Sequence, residues 1–422
     1  MRQHHPVVII GGGQAGLSAS YYLKALGLPH LVLEKGRLGE AWRSQRWDTF
    51  CLVTPNFQCR LPGYPYSGPD PHGFMVKREI VEYLEGFRAS FDPPLQEGVQ
   101  VSAVTHSPLV GGFEVETSHG NFTADQVIVA IGNYHVPKIP AWAGELSPSI
   151  FQCHSSSYRN PESLPAGGVL VVGSGQSGCQ IAEDLQLAGR QVHLALGDAP
   201  RSPRSYRGRD VVDWLEELGY YDKPIDQHPD PDMMRSKTNH YLTGRDGGRE
   251  IDLRAFARDG MQLYGTLLAH EAGTLRFAPD LEGRLDHADE VYLGIQKLID
   301  DYISERGLSA PTEPRYQPCW RPDRAPTQLQ LARAGVSSVI WCIGFQHDFG
   351  FIEAPVFDRR GAPVHQRGVT STPGLYFLGL NWLYTWGSAR FCGVARDAQY
   401  VAQVAVERAR LAERYGRRAA SG

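Results

Sequence analysis

The clearest hydrophobic signal is a short apolar run, Val7–Ile10, that stops at a cluster of glycines. Four consecutive aliphatic residues of this kind predict a parallel strand buried on both faces. Leu17–Leu26 then reads as a helix, and His30–Leu33 is a second apolar run closed by Glu34. Together they predict a βαβ unit. The same order returns at Gly168–Leu196, in GGVLVVGSGQSGCQIAED and the strand after it. Between the two units, Val76–Phe87 reads as a helix and 99–131 as a small antiparallel meander ending in the buried strand QVIVAIG. Later elements are an apolar strand at Val339–Ile343, another at 374–380, and a terminal helix over Gly393–Arg414.

Polar stretches divide the chain. Residues 54–73 hold five prolines and three glycines and predict an irregular, ordered loop. Residues 137–166 are rich in Pro and Ser and mark a domain crossing. Residues 205–310 read as largely helical and polar. Within them Val211, Trp214, Leu215 and Leu218 form a helical stripe, which either caps an active site or packs on a second subunit to give a homodimer. Lys237, Asn239, His240 and Arg245, in a glycine-bearing segment, are placed at a substrate mouth.

At 422 residues the chain calls for two or three domains. A formal charge of −4 gives no reason to expect nucleic acid as a partner. No apolar run approaches the roughly 20 residues that span a bilayer, and MRQHHP leads straight into a strand, so neither a membrane nor a secretory signal is expected. The seven cysteines are scattered and include no CxxC. That argues against a disulfide scaffold, a metal site or a thioredoxin-like pair, and it suits a reducing cytoplasm.

Gly11, Gly13 and Gly16, with Gln14 and Ala15 between them, form GxGxxG at a strand-to-helix turn, and Gly173, Ser174, Gly175, Gln176, Ser177 and Gly178 repeat it. Such glycines permit a tight turn, close backbone approach to a pyrophosphate, and close helix-to-strand packing. The strand ends differ. Glu34 lies 23 residues past Gly11, where a carboxylate accepts hydrogen bonds from a free ribose diol, which suits FAD. The same offset from Gly173 gives Leu196, with Asp198 close by, followed by Arg201, Arg204, Arg207 and Arg209. Guanidinium groups pair well with phosphate, so Arg201 and Arg204 are expected to take the 2′-phosphate of NADPH. Two cradles in one chain then describe a relay, with hydride passing from NADPH to flavin.

Several stretches resemble the class B flavin monooxygenases, the group that includes the flavin-containing monooxygenases, the YUCCA enzymes and the Baeyer–Villiger enzymes. LGEAWRSQRWD (38–48) is similar to a segment with Trp42 and Arg43 beside the flavin, and TPNFQCRLPGYPY (54–66) to the loop beneath it. VIVAIGNYHVPKIP (127–140) resembles the A-T-G crossover strand, with Ile131 replacing Thr. GLYFLGLNWLYTWGSARFCGVARDA (374–398) resembles the closing FAD segment. The family's F-x-G-x-x-x-H-x-x-x-Y/W sequence keeps its second half as His154 and Tyr158, while its first half is altered. Among bacterial relatives the chain most resembles flavoproteins encoded beside nitrilases.

The resemblance implies an α/β fold of two doubly wound Rossmann-type dinucleotide-binding domains, the NADPH domain inserted into a discontinuous FAD domain. The expected boundaries are 1–160 and 325–422 for FAD and 161–324 for NADPH, with a helical insertion at about 205–310. It adds Lys35, Trp42, Arg43 and Gly379 to the FAD contacts and offers Asn56 and His154 as catalytic residues, His154 also reading as a hydrogen-bonded hinge. The implied activity is NADPH-dependent oxygen transfer from molecular oxygen, through a C4a-(hydro)peroxyflavin, to nitrogen or sulfur of a small molecule. An NAD(P)H:acceptor oxidoreductase or oxidase, and a non-catalytic FAD-binding sensor, remain open on sequence.

Overall fold

In the computed structural model, residues 3–107 and 111–420 are described. The chain opens with β1 (Gln3–Ile10), α1 (Gln14–Ala25) and β2 (His30–Glu34). Val7–Ile10 are buried, because the sheet is covered on both faces, with α1 packed on the final helix. The strand Gly120–Val129 pairs with β1 in parallel along its length. On its other edge its first half pairs with Phe113–Thr117 of the meander and its last residues with Leu375–Phe377. One long strand therefore joins the antiparallel meander to the parallel sheet.

The second unit comprises β3 (Gly168–Val172), α2 (Gln176–Leu187) and β4 (Val192–Ala195). Its sheet is wholly parallel, in the order Phe151–His154, Val336–Trp341, β3, β4, Gln262–Tyr264. The two doubly wound halves match the expected fold class.

Two expectations need correction. Val336–Trp341 lies between β3 and Phe151–His154 in the second sheet, so that sheet extends past residue 325, and Phe151–His154 belongs to it rather than to the first. Residues 205–310 are mixed rather than largely helical. They include the strand Gln262–Tyr264, a hairpin of Leu267–Glu271 with Thr274–Phe277, and one long helix, α3 (Leu281–Arg306). The stripe at Val211, Trp214 and Leu215 is buried against Ile299 of α3 in a small core of its own, with Trp386 and Phe57 packed at its edge. That contact accounts for its apolar face without a second subunit. The terminal helix, α4, runs from Val394 to Ala420.

Candidate functional site

The two cradles are built alike. Gly11 and Gly173 have φ of +106° and +101°, and a Cβ on either would sit 2.5 or 2.6 Å from the carbonyl oxygen of Ala130 or Cys342. A Cβ on Gly16 would lie 1.9 Å from the Gly11 oxygen, and one on Gly178 1.8 Å from the Gly173 oxygen. Only glycine permits α1 and α2 to start this close to the strand that feeds them. Gly13, by contrast, faces open space. The helix N-termini with their free N–H groups suit a pyrophosphate. Gly379, at φ +75°, would bring a Cβ within 2.7 Å of the Ala15 Cβ, so the closing segment packs directly on the first cradle. Gln14 ties the same regions by donating from its amide to the Ala389 carbonyl at 3.1 Å.

The strand ends then diverge. Glu34 accepts the N–H of Gly12 at 2.7 Å and that of Gly36 at 2.8 Å, one on each oxygen. A carboxylate has about four acceptor positions, so both oxygens keep capacity for ribose hydroxyls, which fits FAD. At the second cradle Leu196 holds the equivalent position. Ser174 instead accepts the N–H of Gly197 at 3.0 Å. Gln176 uses its side chain to bond both the N–H and the carbonyl of Leu242, fastening that segment onto α2. Ser177 is half-buried at the start of α2. Lys35 is exposed beside Glu34.

The arginines after β4 are committed elsewhere, which corrects their expected role. Arg201 is 2% exposed and donates to Glu250 at 2.8 Å and Asp289 at 2.9 Å, with Asp252 at 3.4 Å. Its guanidinium lies 4.3 Å from the centres of both the Tyr292 and Tyr316 rings. Burial alone would depress its pKa, but Asp252 and Glu250 outweigh that and raise it. Arg204 bonds the Val53 carbonyl and Asp210, over the Phe74 ring. Arg207 and Arg209 pair with Asp300 and Glu217. Arg201 and Arg204, buried in these pairs, are not free to clasp a phosphate.

Asn56 and His154 are held as fasteners, the second in keeping with the hydrogen-bonded hinge expected for it. Asn56 is 4% exposed; its amide donates to the Asp70 carbonyl at 2.9 Å and accepts from the Met75 N–H at 2.7 Å, closing the loop that carries it. His154 is 3% exposed, with Nδ1 accepting from the Ser156 N–H and Nε2 donating to the Gly344 carbonyl at 3.1 Å. Burial lowers its pKa, partly offset by that backbone bond. Tyr158 completes the crossing: its hydroxyl donates to Asp184, which also receives Thr49 and Arg245. Arg43 bonds the Leu38 carbonyl and Glu85, tying its short helix to the helix Lys77–Phe91.

Between the two cradles lies a cluster of aromatic rings and arginines that the sequence revealed only in part. Trp42 stacks on Phe391 with ring centres 5.8 Å apart, and Arg46 lies over Trp42 at 5.0 Å and over the exposed Tyr134 ring at 5.7 Å. Arg390 rests 3.7 Å from the Trp386 ring and donates to Asn239 at 2.8 Å. His240 follows Asn239, and burial pushes its pKa down to about 4, so it is neutral near pH 7. Lys237 is exposed and Arg245 is paired with Asp184, so of the four residues placed at a substrate mouth only Asn239 touches Arg390. All seven cysteines are free, and burial raises the Cys51 thiol to about 11 and Cys59 to about 12. Thiols so protonated are poor partners for disulfide exchange. Among the described residues no cluster of His, Cys, Asp and Glu is placed to hold a metal, and no helix is long and apolar enough to cross a membrane.

The profile of the pyridine nucleotide-disulphide oxidoreductases matches residues 8–217. An oxidoreductase of Geobacillus kaustophilus described as CzcO-like is 34% identical over 400 residues, 94% of this chain and 96% of that protein. The chain belongs to the CzcO-like oxidoreductases. Indole-3-pyruvate monooxygenase YUCCA1 of rice is 32% identical over 180 residues, 42% of this chain and 44% of that protein. Among solved structures, the flavin-containing monooxygenase of Stenotrophomonas maltophilia shares the fold, with a TM-score of 0.67 at 19% identity, covering 96% of this chain and 99% of that one. These findings agree with the resemblance to the class B flavin monooxygenases. The protein is an oxidoreductase with two dinucleotide cradles of the kind that hold FAD and a nicotinamide nucleotide.

Proposed function

We propose that this CzcO-like chain is an NADPH-dependent monooxygenase that transfers one oxygen atom to nitrogen or sulfur of a small molecule. NADPH, a proton, dioxygen and substrate would give NADP⁺, water and oxygenated substrate. The observation that carries the reading is the pair of matched cradles with an aromatic cluster of Trp42, Phe391 and Trp386 between them and no reactive thiol there. FAD in the first cradle supplies a two-electron relay and the place where oxygen is activated. Glu34 would hold its ribose, the N-terminus of α1 its pyrophosphate, and the aromatic walls would limit water at the reacting centre. The monooxygenase activity named for the YUCCA1 relative supports this reading.

For the nicotinamide nucleotide, two side chains of α3 replace the arginines first considered. Asp198, just past β4, lies 3.3 Å from Arg284 and 3.8 Å from His287, both partly exposed. Arg284 also donates to Asp280 at 3.0 Å, but it and His287 are partly exposed rather than buried in their pairs, and on that ground they are our candidates for the 2′-phosphate. The cradle backbone of Gly173–Gly178 would take the pyrophosphate.

The altered linker sequence and Ile131 favour a second reading, an NAD(P)H:acceptor oxidoreductase. The two separate when NADPH is oxidised under ¹⁸O₂ with a panel of amines, sulfides and aryl acids. Labelled product, with hydrogen peroxide below stoichiometry, is expected. Electrons recovered wholly as peroxide or in a quinone, with no labelled product, would establish the second reading.

A further inference from the structure

Most deeply placed arginines of this chain face a carboxylate. Arg201, Arg204, Arg207, Arg245 and Arg254 each have one within 2.9 Å. Arg159 and Arg190 lack one but each donates to three backbone carbonyls. Arg46 and Arg390 are different: among the described residues neither has an acidic oxygen within 4.0 Å, and neither is ringed by carbonyls in that way. Arg46 bonds only the carbonyl of its neighbour Gln45 and otherwise lies over the rings of Trp42, Phe50 and Tyr134. Arg390 reaches the Trp386 carbonyl and the Asn239 amide oxygen.

The two belong to one cluster. Trp42, under Arg46, stacks on Phe391, the residue after Arg390. Tyr134 lies under Arg46 and interacts electrostatically with Arg390 as well. Burial depresses both guanidinium pKa values, with Tyr134 opposing in each case. A partly buried charge without a counter-charge is unfavourable. Two guanidinium groups that share Tyr134 and both retain some exposure therefore offer a site that an anion from solvent can complete.

We propose that Arg46 and Arg390 receive the anionic group of the substrate, a carboxylate on a flat apolar body that lies against Trp42, Tyr134 and Trp386. The inference rests on the monooxygenase reading and supplies its substrate class. The guanidinium fork matches a carboxylate in two parallel hydrogen bonds, and the rings give a planar body large contact at low entropic cost. A cofactor phosphate is the other source of the same chemistry. The structure favours substrate, because each cradle already presents its own helix N-terminus to phosphate, and because Arg390 is held by Asn239 from the opposite domain, at the junction rather than in a cradle.

The test uses FAD-loaded protein and reads binding rather than turnover. Aryl carboxylates of one to three rings, phenylacetate and indole-3-acetate among them, are titrated beside their amides, followed by calorimetry and by perturbation of the oxidised flavin spectrum. At least one carboxylate should bind tenfold or more tightly than its amide. Arg46→Met and Arg390→Met should each abolish that preference, and Arg390→Lys should keep part of it, with FAD content, NADP⁺ affinity and melting temperature near wild type. If no carboxylate outbinds its amide, the proposal fails. If the variants lose FAD or NADP⁺ while the carboxylate preference survives, the pair serves a cofactor phosphate and the proposal is likewise overturned. Failure of the monooxygenase reading would show separately, as unlabelled product under ¹⁸O₂ with carboxylate binding intact.

Discussion

Glu34 accepts the backbone N–H of Gly12 at 2.7 Å, so the carboxylate at the end of the second strand is latched to the phosphate cradle beside it. This bond fixes the first cradle's geometry before any nucleotide enters. It also leaves acceptor positions pointing away from the backbone for a ribose. Replacing Glu34 removes two charge-assisted bonds at once, the second being that to Gly36. Each such bond is worth about 1.5–3 kcal/mol. Glu34→Gln should retain one acceptor oxygen and weaken FAD binding about tenfold; Glu34→Ala should weaken it 100-fold or more. Flavin fluorescence on dilution of the purified protein measures both.

The arginines after β4 predict a contrast between binding and folding. Arg201→Ala would leave the carboxylates of Glu250, Asp252 and Asp289 facing one another without their shared cation. Breaking a buried pair of this kind costs about 3–5 kcal/mol. A large fall in stability is therefore expected, with no selective effect on NADPH. Arg284→Ala, at a half-exposed site, should leave stability nearly unchanged. It should weaken binding of 2′,5′-ADP about tenfold while sparing 5′-AMP, because only the former carries the 2′-phosphate. Equal losses for both nucleotides would remove Arg284 from the site.

These residues also show which features were legible in the chain. The cradles were, because their geometry depends on glycines at fixed local spacing, and Glu34 was found by its offset from the first of them. The arginine run was not. Its partners lie at 210, 217, 250, 252, 289 and 300, and nothing in the run itself says that a carboxylate waits for each guanidinium. The particular bonds of Asn56 and His154 were hidden for the same reason, although a hydrogen-bonded hinge was among the readings offered for His154. Their partners are main-chain groups of Asp70, Met75 and Gly344, which carry no side-chain signature. Val339–Ile343 was recognised as an apolar strand, but either parallel sheet could have held it, and only the pairing of Val336–Trp341 with β3 decides. Arg46 stood inside a stretch already singled out, WRSQRW, yet its meaning depends on Arg390, 344 positions away, and on the acidic residues that are missing around both.

The glycines that close each cradle make a sharper prediction than the motif does. Gly16→Ala and Gly178→Ala each place a Cβ less than 2.0 Å from a backbone oxygen that belongs to the turn itself. Neither helix can back away without pulling its N-terminus off the strand. Gly16→Ala should cost FAD binding and Gly178→Ala NADP⁺ binding, each by 100-fold or more. Gly13→Ala should be milder for the fold, since its Cβ meets nothing within 4 Å, but it should still impair FAD, because that open space is where the phosphates approach. Retention of full FAD content by Gly16→Ala would contradict the assignment of the first cradle.

Acid should destabilise the protein through two histidines. Burial lowers the pKa of His240, and of His365, to about 4, from an unfolded value near 6.5. Between those limits the unfolded chain binds protons that the folded chain refuses, so stability falls as pH drops from about 6.5 to about 4 and is level above that window. In both cases the neighbouring cation, Lys237 for His240 and Arg235 for His365, adds to the depression. The denaturation midpoint should therefore decline steadily from pH 6.5 to pH 4. His240→Gln and His365→Gln should each flatten the decline without shifting the midpoint much at pH 8, where the wild-type rings are neutral in both states. A double variant that declines as steeply as wild type would assign the acid sensitivity to other groups, the other buried histidines His30, His154 and His193 being the next to examine.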